Sequence, residues 1–193
     1  MDPQAFDRQM DQLRGQVDSC QRCGLCQGRH HGVLGEGPAT ARIMLIGEGP
    51  GAQEDASGRP FVGAAGQLLD RMVDALGMNR EDFYIANIVK CRPPGNRAPT
   101  EAEAQACLPY LRAQVRALRP PILVLMGATA IRYIMGPEYR VTRDRGKWVE
   151  RKGFWMMATF HPAAILRDES KRTPTFEDLR AARDKLKQLE DAT

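Results

Sequence analysis

No apolar run in this 193-residue chain approaches the roughly 20 residues that span a bilayer. The opening stretch Met1-Asp2-Pro3-Gln4-Ala5-Phe6-Asp7 lacks the basic start and apolar middle of a secretory signal. A cytoplasmic protein with no membrane partner is therefore expected. Histidine is scarce, at three residues, which weighs against a zinc hydrolase built on an open, histidine-rich site. Charge of either sign is in no large excess. The net of +4 permits a nucleic-acid partner without demanding one. Internal repeats and low-complexity segments are lacking. What is present is ordinary in bulk: 42% apolar and 27% charged residues, the make-up of a globular protein. The length suits one domain over residues 1–193 with a sizeable core.

Along the chain, strand and helix patterns alternate. Residues 3–19 read as a polar surface helix, and the apolar run Ile43-Met44-Leu45-Ile46 as a buried strand over 42–47. A helix over about 64–76 stops at Gly77, a suitable residue just past a helix end. Residues 83–89 read as a second strand. Thr100-Glu101-Ala102-Glu103 is a capping box that opens a helix to about 118. A third strand over 122–126, a short helix ending near Gly136, and a strand over 155–160 follow. A basic-faced helix over about 175–190 closes the chain. This alternation predicts an α/β fold with a parallel sheet covered on both faces, its core over about 20–170.

Chemistry gathers at the strand ends. Gly47-Glu48-Gly49-Pro50-Gly51-Ala52-Gln53-Glu54-Asp55, running on to Gly58-Arg59-Pro60-Phe61-Val62-Gly63, follows the first strand, where open α/β sheets hold ligands. Its glycines allow close backbone approach. Glu48 and Glu54 add polar groups, and Phe61 adds an aromatic face or a core side chain. Asn87 ends the second strand with a donor and an acceptor that match the amide edge of a nucleobase. His161 ends a later strand and is fixed by Pro162. Basic residues cluster at Arg140, Arg143, Arg145 and Lys147, and again at Arg167, Lys171 and Arg172. They suit phosphate contacts or a solvated surface, and Arg167 is the strongest candidate.

Five cysteines stand at 20, 23, 26, 91 and 107. Cys20, Cys23 and Cys26 form overlapping C-x-x-C pairs. Such crowding is unlike core packing, and an intracellular chain of this size needs no disulfides. Four thiolates suit zinc or an iron–sulfur cluster, and spacing does not decide between them. His30 and His31 lie nearby as solvated loop residues or spare ligands.

Together these pieces resemble the family 4 uracil-DNA glycosylases, the iron–sulfur branch of their superfamily. The matching motifs are Cys20-x-x-Cys23, the 47–55 loop, Gly58-Arg59-Pro60-Phe61-Val62-Gly63 with Ala65-Gly66-Gln67-Leu68-Leu69, the run from Tyr84 through Asn87 to Cys91-Arg92-Pro93-Pro94-Gly95-Asn96-Arg97, Cys107, and His161-Pro162-Ala163-Ala164-Ile165-Leu166-Arg167. They fall in the family's order over most of residues 20–170. The resemblance implies a three-layer α/β/α sandwich with a central, mainly parallel four-stranded sheet. It implies a structural [4Fe–4S] cluster held by Cys20, Cys23, Cys91 and Cys107, with Cys26 spare.

The implied activity is excision of uracil from single- or double-stranded DNA by a monomer, leaving an abasic site. Phe61 would stack on the flipped base, Asn87 would read its O4 and N3–H edge, and His161 would donate to O2 as charge develops there. The backbone at Gly49, with Glu48 and Glu54, would shape the sugar side. Gly49 stands near where family 1 enzymes carry an aspartate base, so Glu48 or Glu54 is the candidate to orient water. Arg143, Arg145, Lys147 and Arg167 are the candidate DNA contacts. The 141–148 loop holds no histidine, which favours turnover over the covalent self-trapping of a related branch. Glycosylases for other deaminated bases, and a non-catalytic iron–sulfur nucleic-acid-binding module, are the competing expectations.

Overall fold

The computed structural model describes residues 2–192. Five strands form one sheet in the order β2-β1-β3-β5-β4: β1 (Ile43–Gly47), β2 (Phe83–Asn87), β3 (Ile122–Met126), β4 (Trp148–Arg151) and β5 (Phe154–Thr159). β2, β1, β3 and β5 run parallel. The expected mainly parallel sheet is present, with one strand more than the four expected. The extra strand, β4, pairs antiparallel with β5 through a short turn at one edge. Its Trp-Val-Glu-Arg sequence alternates poorly, and it stays only half covered, so no strand period stands out there.

Eight α-helices surround the sheet: α1 (Pro3–Asp18), α2 (Ala52–Ser57), α3 (Ala64–Asp74), α4 (Glu101–Leu118), α5 (Ala128–Ile134), α6 (Val141–Asp144), α7 (Pro162–Arg167) and α8 (Arg172–Asp191). Successive strand residues point to opposite faces, and the core divides accordingly. Met44, Ile46, Tyr84 and Ala86 pack with α1, α4 and α5. Ile43, Leu45, Phe83 and Ile85 pack with α3, α7 and α8. Each of β1, β2 and β3 is buried along its whole length, which is why these strands read as unbroken apolar runs. α2 is too short to display a helical period, and α8 begins three residues before the expected start because Pro174 is tolerated in a first turn.

The topology fixes where a ligand sits. The chain leaves β1 toward β2 on one side and later enters β3 on the other, so strand order reverses at β1. Carboxyl ends line up in register, Gly47 beside Asn87 and Met126 beside Thr159. The crevice beyond those ends is the binding position of an open parallel sheet.

Candidate active site

The loop after β1 is built around Glu54. Its carboxylate is buried and accepts from Gly51 N at 3.0 Å, Val62 N at 2.8 Å and Gly63 N at 2.7 Å. One side chain thus ties the start of α2 to the turn that carries Phe61. Phe61 itself has a left-handed backbone, φ 51°, an uncommon state for a bulky residue. Neighbouring groups hold it. Arg80 donates to the Phe61 carbonyl at 3.0 Å and also to the Pro60 carbonyl. Glu36 and Asp70 fix that guanidinium at 2.8 and 2.9 Å. Finally, a Cβ at Gly66 would stand 1.8 Å from the Phe61 oxygen, so the first turn of α3 can abut this carbonyl only without a side chain.

The Phe61 ring lies 5.3 Å from the His161 ring, tilted by 31°. Gly47 keeps the floor open: a Cβ there would come within 2.5 Å of Asn87 Oδ1 and 2.6 Å of Phe61 Cζ. Asn87 is 1% exposed. Its Oδ1 is the one buried side-chain oxygen or nitrogen among the described residues with no hydrogen-bond partner. A buried acceptor left unmade costs free energy unless a ligand supplies the donor.

His161 caps α7, and its Nδ1 accepts from Ala163 N at 3.1 Å. That bond assigns the proton of a neutral ring to Nε2. Burial, with help from the nearby Arg167 charge and against Glu54, pushes its pKa down to about 4. The ring is therefore neutral near pH 7 and has one N–H to offer. Glu48 crosses the crevice to accept from Thr129 Oγ1 on α5. At Gly49 a Cβ would meet Val89 at 2.8 Å, so this backbone has no room for an aspartate.

These residues share one cleft of about 740 Å³, lined among others by Glu48, Gly49, Glu54, Phe61, Asn87 and His161. Arg167 also lines it, next in sequence to Leu166, the one exposed large apolar residue among the described residues, 52% accessible. Of the other basic candidates, Lys171 also lines the cleft, while Arg140, Arg143, Arg145, Lys147 and Arg172 do not; Val141 and Thr142 represent the 140–147 loop there instead. Arg143 pairs with Asp144 at 2.8 Å, and Lys147 faces the same carboxylate at 3.8 Å. Arg145 is tied to Asp178 at 2.8 Å and to the Pro174 carbonyl, which fastens the loop to α8.

The cysteines meet elsewhere. Cys20, Cys23, Cys26, Cys91 and Cys107 line a narrow cleft beside the segment that follows β2, with Lys90 and Tyr110. Arg29 Nη1 lies 3.2 Å from Cys91 Sγ, and Lys90 N donates to Cys107 Sγ at 3.2 Å. Burial raises the Cys23 and Cys91 thiols and pushes Cys107 up to about 11, and neighbouring thiolates add to each. Among the described residues, no group of three or more His, Cys, Asp or Glu is disposed to hold a metal ion. His30 is bound at 2.6 Å to the buried Asp55 carboxylate and His31 at 2.9 Å to its carbonyl. Both histidines are exposed and neither lines the cysteine cleft.

Sequence patterns did not point to Arg80, Glu36 or Thr129. Arg80 lies in a short polar turn, and its bond to Glu36 spans 44 residues, so no local spacing marks it. Asn96, inside the recognised Pro-Gly-Asn run, also lines the cleft, with its Oδ1 held by Arg92 at 2.7 Å.

A three-layer fold with a preformed polar crevice at the carboxyl edge of its sheet defines an α/β protein with a small-molecule or base pocket. Comparison with known proteins gives the family. The model of the Uracil DNA glycosylase superfamily matches residues 34–187. A Type-4 uracil-DNA glycosylase of Thermotoga maritima is 41% identical over 92% of this chain and 95% of its own length. One from Sulfurisphaera tokodaii is 42% identical over 91% of this chain and 84% of its own length. A Type-5 uracil-DNA glycosylase of Pyrobaculum aerophilum is 31% identical over 67% and 64% of the two chains. The chain belongs to the uracil-DNA glycosylase superfamily.

Proposed function

We propose that this protein is a DNA-repair glycosylase that flips uracil out of DNA and hydrolyses its N-glycosidic bond, residues 1–193 acting as one domain. The observation that carries the reading is the unpartnered Oδ1 of Asn87. Uracil offers it a donor, N3–H, while the Asn87 amide N–H₂ meets O4. Cytosine has an acceptor at N3 and a donor at N4, so both contacts would oppose. A site built to hydrogen-bond one edge rejects the other strongly, because its buried polar atoms stay unpaired.

Phe61 supplies the stacking face. As the C1′–N1 bond breaks, the electron pair moves onto the base and charge grows at O2. The Nε2–H of a neutral His161 stabilises that charge more than it stabilises the bound base. Glu48 is the carboxylate suited to orient water toward C1′. Glu54 has given its oxygens to three backbone N–H groups and serves the reaction by shaping the loop. With no histidine in residues 141–148, the abasic product is released rather than trapped.

Arg167 suits a phosphate beside the flipped nucleotide, with Arg143 and Lys147 farther along the same side; Arg145 supports the loop that carries them. Leu166 suits the gap left in the stack. The substrate is uracil-containing DNA, single- or double-stranded, taken by a monomer. No helix among the described residues is long and apolar enough to cross a membrane, and repair of chromosomal DNA suits the cytoplasm.

Cys20, Cys23, Cys91 and Cys107 would hold a [4Fe–4S] cluster, with Cys26 spare. Four of the thiols that line this cleft supply the all-cysteine ligand set that such clusters use. Thiols raised by burial and by one another fit a partner that brings positive charge. Held by these residues, it would tie the N-terminal segment to the turn after β2 and to α4, a structural role apart from bond cleavage. The test is incubation with an end-labelled oligonucleotide carrying one uracil, followed by hot alkali and a denaturing gel. Scission at uracil and none at cytosine is expected; an intact uracil strand overturns the reading.

A further inference from the structure

Glu48 follows β1 directly, and its main chain is held. Val89 N donates to the Glu48 carbonyl at 3.2 Å, as Ile88 N does to that of Gly47 at 3.0 Å. Its side chain is tethered far more lightly. Glu54 gives its oxygens to three backbone N–H groups. The Glu48 carboxylate has one hydrogen-bond partner among the described residues, the Thr129 hydroxyl, which donates to Oε2. Oε1 is left to accept from a molecule in the cleft. A glutamate side chain turns about three torsions, so this single tether decides where Oε1 points. Thr129 itself does not line the cleft, although Gly127 and Ala128 do. The turn that carries it is fixed in turn. Gly127 N donates to the Thr159 carbonyl at 2.9 Å. At Gly127, with φ +89°, a Cβ would stand 3.0 Å from His161 Cβ. The first turn of α5 thus abuts the histidine and tethers the glutamate, so one short helix sets both groups.

We propose that Thr129 is a positioning residue: its hydroxyl holds Glu48 so that Oε1 accepts from the water that adds at C1′. This rests on reading the cleft as a uracil-DNA glycosylase site in which Glu48 orients water. Thr129 acts through Glu48 alone, since it reaches neither the base nor the sugar side of the cleft. The effect is one of orientation. A water held in line with C1′ reacts from its bound position, whereas a water on a swinging carboxylate must first find that position. Binding of the base, which falls to Phe61, Asn87 and His161, is left unchanged. Valine keeps the branched shape of threonine without the hydroxyl, and serine keeps the hydroxyl, so the two substitutions separate the hydrogen bond from the packing.

The test measures kcat and KM for uracil release from a single-stranded oligonucleotide. It compares wild type, Thr129→Val, Thr129→Ser, Glu48→Ala and the double variant Glu48→Ala with Thr129→Val, each checked for folding by circular dichroism. Thr129→Val is expected to lose about tenfold to a hundredfold in kcat with little change in KM, the scale for a reacting group displaced by about an ångström. Thr129→Ser should stay within about threefold of wild type, because the donor is kept. In the Glu48→Ala background the valine change should cost less than about twofold, since residues that act through one contact do not add. A merely structural defect would add there in full. Wild-type kcat in Thr129→Val overturns the proposal, and so does an equal fold loss in the two backgrounds. Should Thr129→Val not fold, Thr129→Ala takes its place on the same terms. If wild type releases uracil and Glu48→Ala does so at the same rate, the role of Glu48 falls and the proposal with it, while the glycosylase reading stands. A wild-type protein that releases no uracil overturns both.

Discussion

In the proposed reading Asn87 and His161 meet the base from two sides, and each makes a separate prediction. Asn87→Ala removes the edge reader, and His161→Ala removes the donor to O2. Each should lower kcat for uracil release by about a hundredfold or more, the usual loss when one buried transition-state contact is deleted, measured by single-turnover excision. The pH behaviour of His161 has a definite sign. Its folded pKa lies near 4, below the ordinary value of 6.5. Between those values the unfolded chain takes up a proton that the folded chain refuses, so acid favours unfolding across this window. Urea titrations at pH 7.5 and pH 5 should therefore find a larger acid-induced loss in wild type than in His161→Gln. The excision rate should show no inflection near pH 6.5, because the ring is already neutral. Gly66 gives a third test. An alanine Cβ would stand 1.8 Å from the Phe61 oxygen, so Gly66→Ala should cost about 1–3 kcal/mol, as overpacking does. It should also lower excision by moving Phe61, which a purely structural defect far from the cleft would not do.

Among the elements, α7 is where the proposed reading places a contrast between single and double strands. Leu166 and Arg167 are its last two residues, Leu166 exposed and Arg167 lining the cleft. Leu166→Ala should slow excision from duplex DNA several-fold more than from single strands, since only the duplex has a stack to be held open; equal effects on both would contradict the wedge role. The elements also define what a reading of the sequence reaches. β1, β2 and β3 were legible because strands buried on both faces must be apolar throughout. The gathering of Glu48, Phe61, Asn87 and His161 was legible because topology brings the ends of parallel strands to one crevice. β4 was not, since a half-covered edge strand carries no distinctive pattern. Arg80 and Glu36 were not, because their meaning lies in a contact between segments far apart in sequence. The basic run at 143–147 illustrates the opposite limit: charge was plain, but which carboxylates neutralise it is decided by α6 and α8.

At the scale of the molecule, two clefts adjoin the short segment from Asn87 to Cys91. One includes Asn87, and the other lies where Cys91 meets Cys107 and the segment from Cys20 to Cys26. The N-terminal helix packs chiefly on α4, so a cluster bound across these cysteines would fasten that layer to the sheet. Stripping iron should lower the melting temperature and loosen residues 3–29, read as faster amide exchange there than in the sheet. The account as a whole stands on the buried amide edge of Asn87. The most direct measurement is excision by wild type and Asn87→Ala on paired oligonucleotides that differ only in carrying uracil or cytosine at one position. Strand scission at uracil alone by wild type, and at neither base by the variant, is the predicted result. Scission at uracil by Asn87→Ala at the wild-type rate would contradict the account.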